Sequence, residues 1–173
     1  MKRRAGTAPL LLSAWLSSYA TPSQAAEVGA FVVDPDAGCK IWNPHPVAGE
    51  TAKWTGACVN GLAQGAGSLQ WLRDGKAFEK DDGEWDRGRQ TGRGMQNWKT
   101  GSYDGSLLDG EPHGHGVMTL QSARYVGEFR KGKPNGEGTV TSLQGAFSGT
   151  WKDGCLTRGK QKITFAVSSD TCR

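Results

Sequence analysis

Several groupings of side chains in this sequence carry types and spacings that chemistry can use. His113-Gly114-His115 puts two imidazoles two residues apart, on one side of an extended chain, where a metal would take them. No third ligand stands at a fixed spacing, and His113 falls in a hairpin loop, so a solvated or packing role is expected. Asp81, Asp82, Glu84 and Asp86 offer carboxylates for acid–base work on a glycan. Glycosidic chemistry needs two of them held across a cleft. A one-layer sheet offers no deep cleft, and Arg87, Arg89 and Arg93 lie close by, so an ion-paired surface is expected. The run from Gly127 to Gly132 and Lys133 approaches a phosphate-binding loop, but Pro134 stands where Ser or Thr is required and no helix follows. The cysteines are expected to be oxidised, and no His is placed to activate one as a nucleophile. The sequence therefore names no catalytic, cofactor-binding or metal-binding residue, and the chain reads as a non-enzyme.

The elements that must carry these residues begin after a leader. Lys2, Arg3 and Arg4 precede an apolar stretch from Ala8 to Leu16, and small residues lead to Ser23-Gln24-Ala25. That order is expected of a cleaved signal peptide over 1–25, and it implies export to the periplasm or beyond. A lipoprotein reading of Asp36-Ala37-Gly38-Cys39 fails because Asp36 stands where an aliphatic residue is needed. The chain has 21 Lys+Arg and 17 Asp+Glu, and the leader holds three of the basic residues and no acid. The mature charge is thus 18 minus 17, or +1, which removes the support for a nucleic-acid partner. Cys39, Cys58, Cys155 and Cys172 all lie in the mature part, and four cysteines in an exported chain read as two disulfides. Three connectivities exist; Cys39–Cys58 and Cys155–Cys172 are preferred because each pairs neighbours at one end of the chain.

The 26 glycines are periodic. Counting each unit's first residue as position zero, glycine recurs at plus 2, plus 7, plus 11 and plus 13 from Trp54, Asp81, Tyr103 and Tyr125. Unit starts from Asp81 to Phe147 are 22 residues apart, and the first interval is 27, which places an insertion around Arg73 to Lys80. The unit at Phe147 loses its last two glycines to Arg158 and Lys160, as a terminal cap does. In each unit an aromatic-Gly-aromatic strand runs into a turn such as Asn60-Gly61 or Asp109-Gly110, and a second strand runs from plus 12 to plus 17. Each unit is thus a hairpin in one meandering sheet. The strand glycine should leave a hole for a ring from a neighbouring strand, and Gly136 should face such a ring.

Tyr125-Val-Gly-Glu-Phe-Arg-Lys-Gly-Lys-Pro-Asn-Gly-Glu-Gly138 resembles the MORN consensus, and the likeness covers about 54 to 159. With its leader, the chain resembles exported bacterial MORN-repeat proteins. The resemblance implies an all-β fold: a single-layer antiparallel β-hairpin solenoid with disulfide-stapled terminal caps, the N-terminal cap over 26–53 and a C-terminal cap strand over 160–173. Asp81 departs from the consensus at a normally aromatic position. Cys58 takes the place of a plus 4 aromatic on the packed face, where it could staple Cys39 to the first hairpin. Most of the aromatic residues should form the core. A thin sheet cannot hide both faces, so Trp85, Trp98, Tyr103, Tyr125, Phe129, Phe147 and Trp151 form the candidate binding face. The resemblance implies a protein-interaction or scaffolding role with another envelope or secreted protein, with self-association as a further mode. A lipid or glycan ligand in an aromatic groove is the alternative.

Overall fold

The repeat is punctuated by two-residue turns. At Asn60-Gly61, Arg87-Gly88, Asp109-Gly110, Lys131-Gly132 and Asp153-Gly154 both residues have φ between 46° and 86°. This is the hairpin turn whose twist matches that of its strands. Asn, Asp and Gly enter that region cheaply, whereas Arg87 and Lys131 are held there by the pairing of the strands on either side.

The computed structural model describes residues 29–172; the expected leader, 1–25, lies outside the described residues. The strands in chain order are β1 (Ala30–Val33), β2 (Lys40–Asn43), β3 (Glu50–Trp54), β4 (Ala57–Val59), β5 (Leu62–Arg73), β6 (Lys76–Asp86) and β7 (Arg89–Trp98). There follow β8 (Gly101–Leu108), β9 (Glu111–Leu120), β10 (Ala123–Arg130), β11 (Lys133–Ser142), β12 (Gly145–Trp151), β13 (Cys155–Arg158) and β14 (Gln161–Thr164). One twelve-stranded sheet runs in the order β1-β2-β5-β6-β7-β8-β9-β10-β11-β12, with β3 and β4 also paired to β5, while β13 and β14 form a separate hairpin. Within it β2 and β5 touch in parallel at Lys40 and Leu62, and the other pairings are antiparallel. No α-helix occurs among the described residues.

A ladder of glycines sets the shape of this sheet. Gly67, Gly83, Gly94, Gly105, Gly116, Gly127, Gly138 and Gly149 are register partners in succession from β5 to β12. Beside the ladder the register slips, between Gly83 and Glu84, Gly105 and Leu107, and Gly127 and Phe129. A bulge of this kind bends the strand. The hairpin tips beyond it are joined in a second row. Gly88 N–H donates to the Ala63 carbonyl (2.8 Å), Gly110 to Gln90 (3.0 Å), Gly132 to Pro112 (3.0 Å) and Gly154 to Pro134 (2.9 Å). The second strand of a unit therefore starts at plus 8 rather than plus 12, because the tip is itself paired.

In units one, three and four the hole over the plus 2 and plus 13 glycines is filled by the unit's own position-zero ring, which reaches the plus 13 glycine from the adjacent strand. A β-carbon on Gly116 would collide with the Tyr103 ring, one on Gly138 with Tyr125, and one on Gly67 with Trp54. Gly136 faces no ring; its φ is 110° and a β-carbon there would meet the Glu128 side chain. The Tyr103 hydroxyl donates to the Ser106 carbonyl (2.7 Å) and the Tyr125 hydroxyl to that of Glu128 (3.1 Å), each at the bulge. Burial raises both phenols to about 12, with Asp104 adding at Tyr103 and Glu128 at Tyr125. Each plus 4 ring then packs edge-on against the position-zero ring of the preceding unit. Phe129 lies 5.1 Å from Tyr103 and 5.0 Å from Tyr125, and Trp151 lies 5.2 Å from Tyr125. Such pairs add about 0.5–1.5 kcal/mol each beyond the area they bury.

The caps close the ends. Cys39 pairs with Cys58 and Cys155 with Cys172, at Cα separations of 5.8 and 5.7 Å. Cys39 is buried but Cys58 is exposed, so the staple crosses from the core to the surface instead of lying on the packed face. Phe165, after β14, stacks on Tyr125 at 5.5 Å and covers the last rings.

Gly138→Ala, which places a methyl inside the Tyr125 ring without a left-handed backbone to excuse it, should destabilise the fold by about 1–3 kcal/mol in urea unfolding. An unchanged midpoint would contradict the ring-over-glycine packing.

Candidate functional site

Unit two keeps a buried ring, Trp85, at plus 4 but breaks the inward pattern at four other positions. Position zero is Trp54, Tyr103, Tyr125 or Phe147 elsewhere and Asp81 here. At plus 9, Ala63, Pro112 and Pro134 give way to Gln90, and at plus 15, Leu69, Met118 and Val140 give way to Gln96. Two residues before position zero, where other units carry Ala52, Gly101, Ala123 or Gly145, stands Glu79. Strand pairing gathers these. Leu69, Asp81, Gln96 and Tyr103 form one cross-strand row, and Trp71, Glu79, Trp98 and Gly101 form the next.

The result is a core in two parts. One apolar cluster runs from Cys39 to Trp85 and another from Tyr103 to Phe165. At the first, Trp54 and Trp85 pack at 4.6 Å. The aromatic sequence of rings then lapses, because Asp81 supplies none. At the seam lies an open cleft of about 330 Å³, lined by Trp71, Glu79, Asp81, Trp85, Gln90, Gln96 and Trp98. Trp42, His45, Glu50, Arg73, Phe78 and Glu111 are among its other walls. The insertion in the first repeat interval lengthens β5 and β6 and places Arg73 and Phe78 at this wall, the guanidinium 4.8 Å from the ring centre.

Most polar groups of the cleft are bound to one another. Gln96 Nε2 donates to Gln90 Oε1 (3.1 Å) and to the Gly110 carbonyl (2.9 Å). Arg73 and Asn43 both donate to Glu50, at 2.6 and 2.9 Å, and His45 Nε2 meets Glu111 at 3.0 Å. Asp81, only 3% exposed, accepts from the Trp71 indole N–H at 2.8 Å through Oδ2. Its Oδ1 has no hydrogen-bond partner among the described residues. Burial pushes the Asp81 carboxyl well above the usual carboxylate range, and the neighbouring Glu79 charge adds to this. Burial raises Glu79 as well, with the nearby Glu50 charge adding to this and Asp81 opposing it. The two carboxyls lie two residues apart on one face of β6, so the charge on one bears on the ionisation of the other.

The structure separates the carboxylates singled out in the sequence. Asp81 points inward, while Asp82 accepts from Ser68 and Lys80 and the exposed Asp86 meets Arg87 at 3.4 Å. Arg89 and Arg93 reach across to Asp109 (3.3 Å) and Asp104 (3.8 Å) instead of balancing unit two. Five residues of the candidate binding face, Trp85, Tyr103, Tyr125, Phe129 and Trp151, are buried to within 4% of complete burial. They are core, because each ring is consumed by a glycine hole or by a neighbouring ring. Trp98 and Phe147 are half-buried, and only Trp98 lines the cleft. Sequence reading missed Glu79, Gln90 and Gln96, although comparing units at these positions exposes all three.

A family model described as MORN repeat matches residues 82–102, 103–122 and 125–143. This is a MORN-repeat protein. The matched segments are units two to four; the units at Trp54 and Phe147 share their turns and glycine ladder. MORN repeats are generally non-catalytic modules that contact proteins or membranes. No curated protein matches the chain. Within this repeat protein, the cleft marks where one MORN unit gives up its core residues for polar ones.

A second buried aspartate serves as a contrast. Asp34 Oδ1 accepts from Asp36 N–H (2.8 Å) and Ala37 N–H (3.2 Å), and Oδ2 from Trp54 N–H (2.8 Å), tying the N-terminal cap to β3. Burial opposes its charge, but these backbone donors and Lys53 outweigh it and hold the carboxyl below its usual range. Its contribution is present at neutral pH and is lost as pH falls through the depressed value. Asp81 has the opposite sign: above the usual carboxylate range the unfolded chain gains by ionising it, and acidification toward about pH 4 removes that penalty. Asp34→Asn should therefore cost about 1–3 kcal/mol at pH 7. Asp81→Asn should stabilise at pH 7, with the gain shrinking toward about pH 4. Urea unfolding at both pH values checks this; an Asp81→Asn protein less stable than the parent at pH 7 would refute the assignment.

Proposed function

We propose that the chain is a non-catalytic interaction module of the cell envelope, and that it captures its protein partner through the cleft of the second MORN unit. The split core carries this reading. A repeat that could continue one apolar core from end to end instead keeps a coupled carboxyl pair and two glutamines at its middle. Keeping polar groups there costs stability, as recognition sites commonly do. Export is supported by the leader sequence and by two disulfides, which persist in oxidising compartments. A lipid or glycan ligand is the second reading, supported by the indoles of Trp71 and Trp98 along the cleft.

Residues 26–173 used as bait against envelope extract should recover one protein at near-stoichiometric level, and Trp98→Ala should lose it while keeping the parent's circular dichroism at the temperature of the experiment. Equal recovery by both baits would overturn the cleft as the site. Co-sedimentation with phospholipid vesicles in place of a protein would favour the second reading.

A further inference from the structure

We propose that the group entering the cleft is an alkylammonium, the end of a lysine side chain on the partner, held by Glu79 and the surrounding indoles. This rests on the cleft being the binding site, and it follows from the hydrogen-bonding character of the wall. Several donors that line the cleft are engaged within the wall: the Trp71 indole with Asp81, Gln96 with Gln90 and Gly110, Arg73 and Asn43 with Glu50. The Glu79 and Asp81 carboxyls remain, with Asp81 Oδ1 lacking a donor, and a cation beside them favours the ionised, accepting form of each. A sugar hydroxyl needs a donor as well as an acceptor, whereas an ammonium brings three donors and no acceptor.

Charge balance points the same way. Glu50 has Arg73, Glu111 has His45, and Asp82, on the other face, has Lys80. Glu79 and Asp81 have no cationic partner among the described residues. Asp81 also keeps a carboxyl oxygen without any partner while almost fully buried. A buried carboxyl pair of this kind is costly alone and is relieved by a cation. The walls suit one: ring faces attract cations, most strongly those of Trp, and Trp42, which lines the cleft, already has the Arg89 guanidinium 3.9 Å from its ring centre. The cleft volume of about 330 Å³ takes a four-carbon stem and its head group.

The test compares Nα-acetyl-lysine amide with Nα-acetyl-norleucine amide, which keeps the stem and lacks the ammonium, titrated into the folded protein while the indole N–H resonances are followed. The lysine amide should shift the Trp71 and Trp98 resonances, and the norleucine amide should bind at least about tenfold more weakly. Glu79→Gln, at a half-buried position, should weaken the lysine amide by about tenfold and leave the remaining resonances in place. Equal binding of the two amides, or indifference to Glu79→Gln, would overturn the ammonium. So would a methyl hexoside that shifts these indoles while the lysine amide does not. The cleft itself then stands or falls separately, on whether Trp98→Ala loses the partner captured by the parent.

Discussion

The ring that lies over two cross-strand glycines is the contact on which this architecture depends. A bare hairpin cannot bury its own apolar surface, and the plus 2 and plus 13 glycines let a hairpin sink its first ring into its own backbone. Tyr103 occupies the space over Gly116 and Tyr125 that over Gly138. The strand bulges directly beyond, the tyrosine hydroxyl donates to the carbonyl at the bulge, and the bent tip bonds to the tip before it. Sheet, bend and tip row are thus consequences of one steric arrangement repeated every 22 residues. Each unit is useful only beside its neighbours, since the plus 4 ring needs the position-zero ring of the preceding unit.

A repeat that propagates by such contacts is most informative where it stops. Asp81 removes the ring, Gln90 and Gln96 replace its apolar neighbours, and Glu79 fills a position kept small elsewhere. The core separates into two clusters on either side of these residues. Meanwhile the interval that carries the insertion lengthens β5 and β6 into a wall, and the N-terminal cap contributes Trp42, Asn43 and His45 to the opposite rim. Three separate departures from the repeat thereby converge on one cleft.

The hairpins, their turns and both disulfide pairs were legible in the sequence, because turn chemistry and glycine spacing are local signals. The bend was not. It depends on Gly127 facing Gly138 across strands, and on a bulge at Glu128, which no single unit reveals. That gap explains why Gly136 was given the role that Gly138 performs, and why Trp85, Tyr103, Tyr125, Phe129 and Trp151 were offered as a binding face. Asp81 was legible as a departure but was grouped with Asp82, Glu84 and Asp86, its neighbours in sequence. Alternation along the strand sends Asp81 inward and Asp82 outward, and it is Glu79, two residues away, that shares its face.

On the proposed reading, unit two keeps polar residues at core positions for binding and gives up stability to do so. Restoring the repeat's own residues with Asp81→Tyr, Gln90→Pro and Gln96→Val together, followed by equilibrium unfolding at pH 7, tests it most directly. A protein more stable than the parent is expected, since the missing ring and its apolar neighbours would join the two clusters into one core. A triple variant less stable than the parent, with its fold retained, would contradict it and make the polar residues part of the architecture instead of the site.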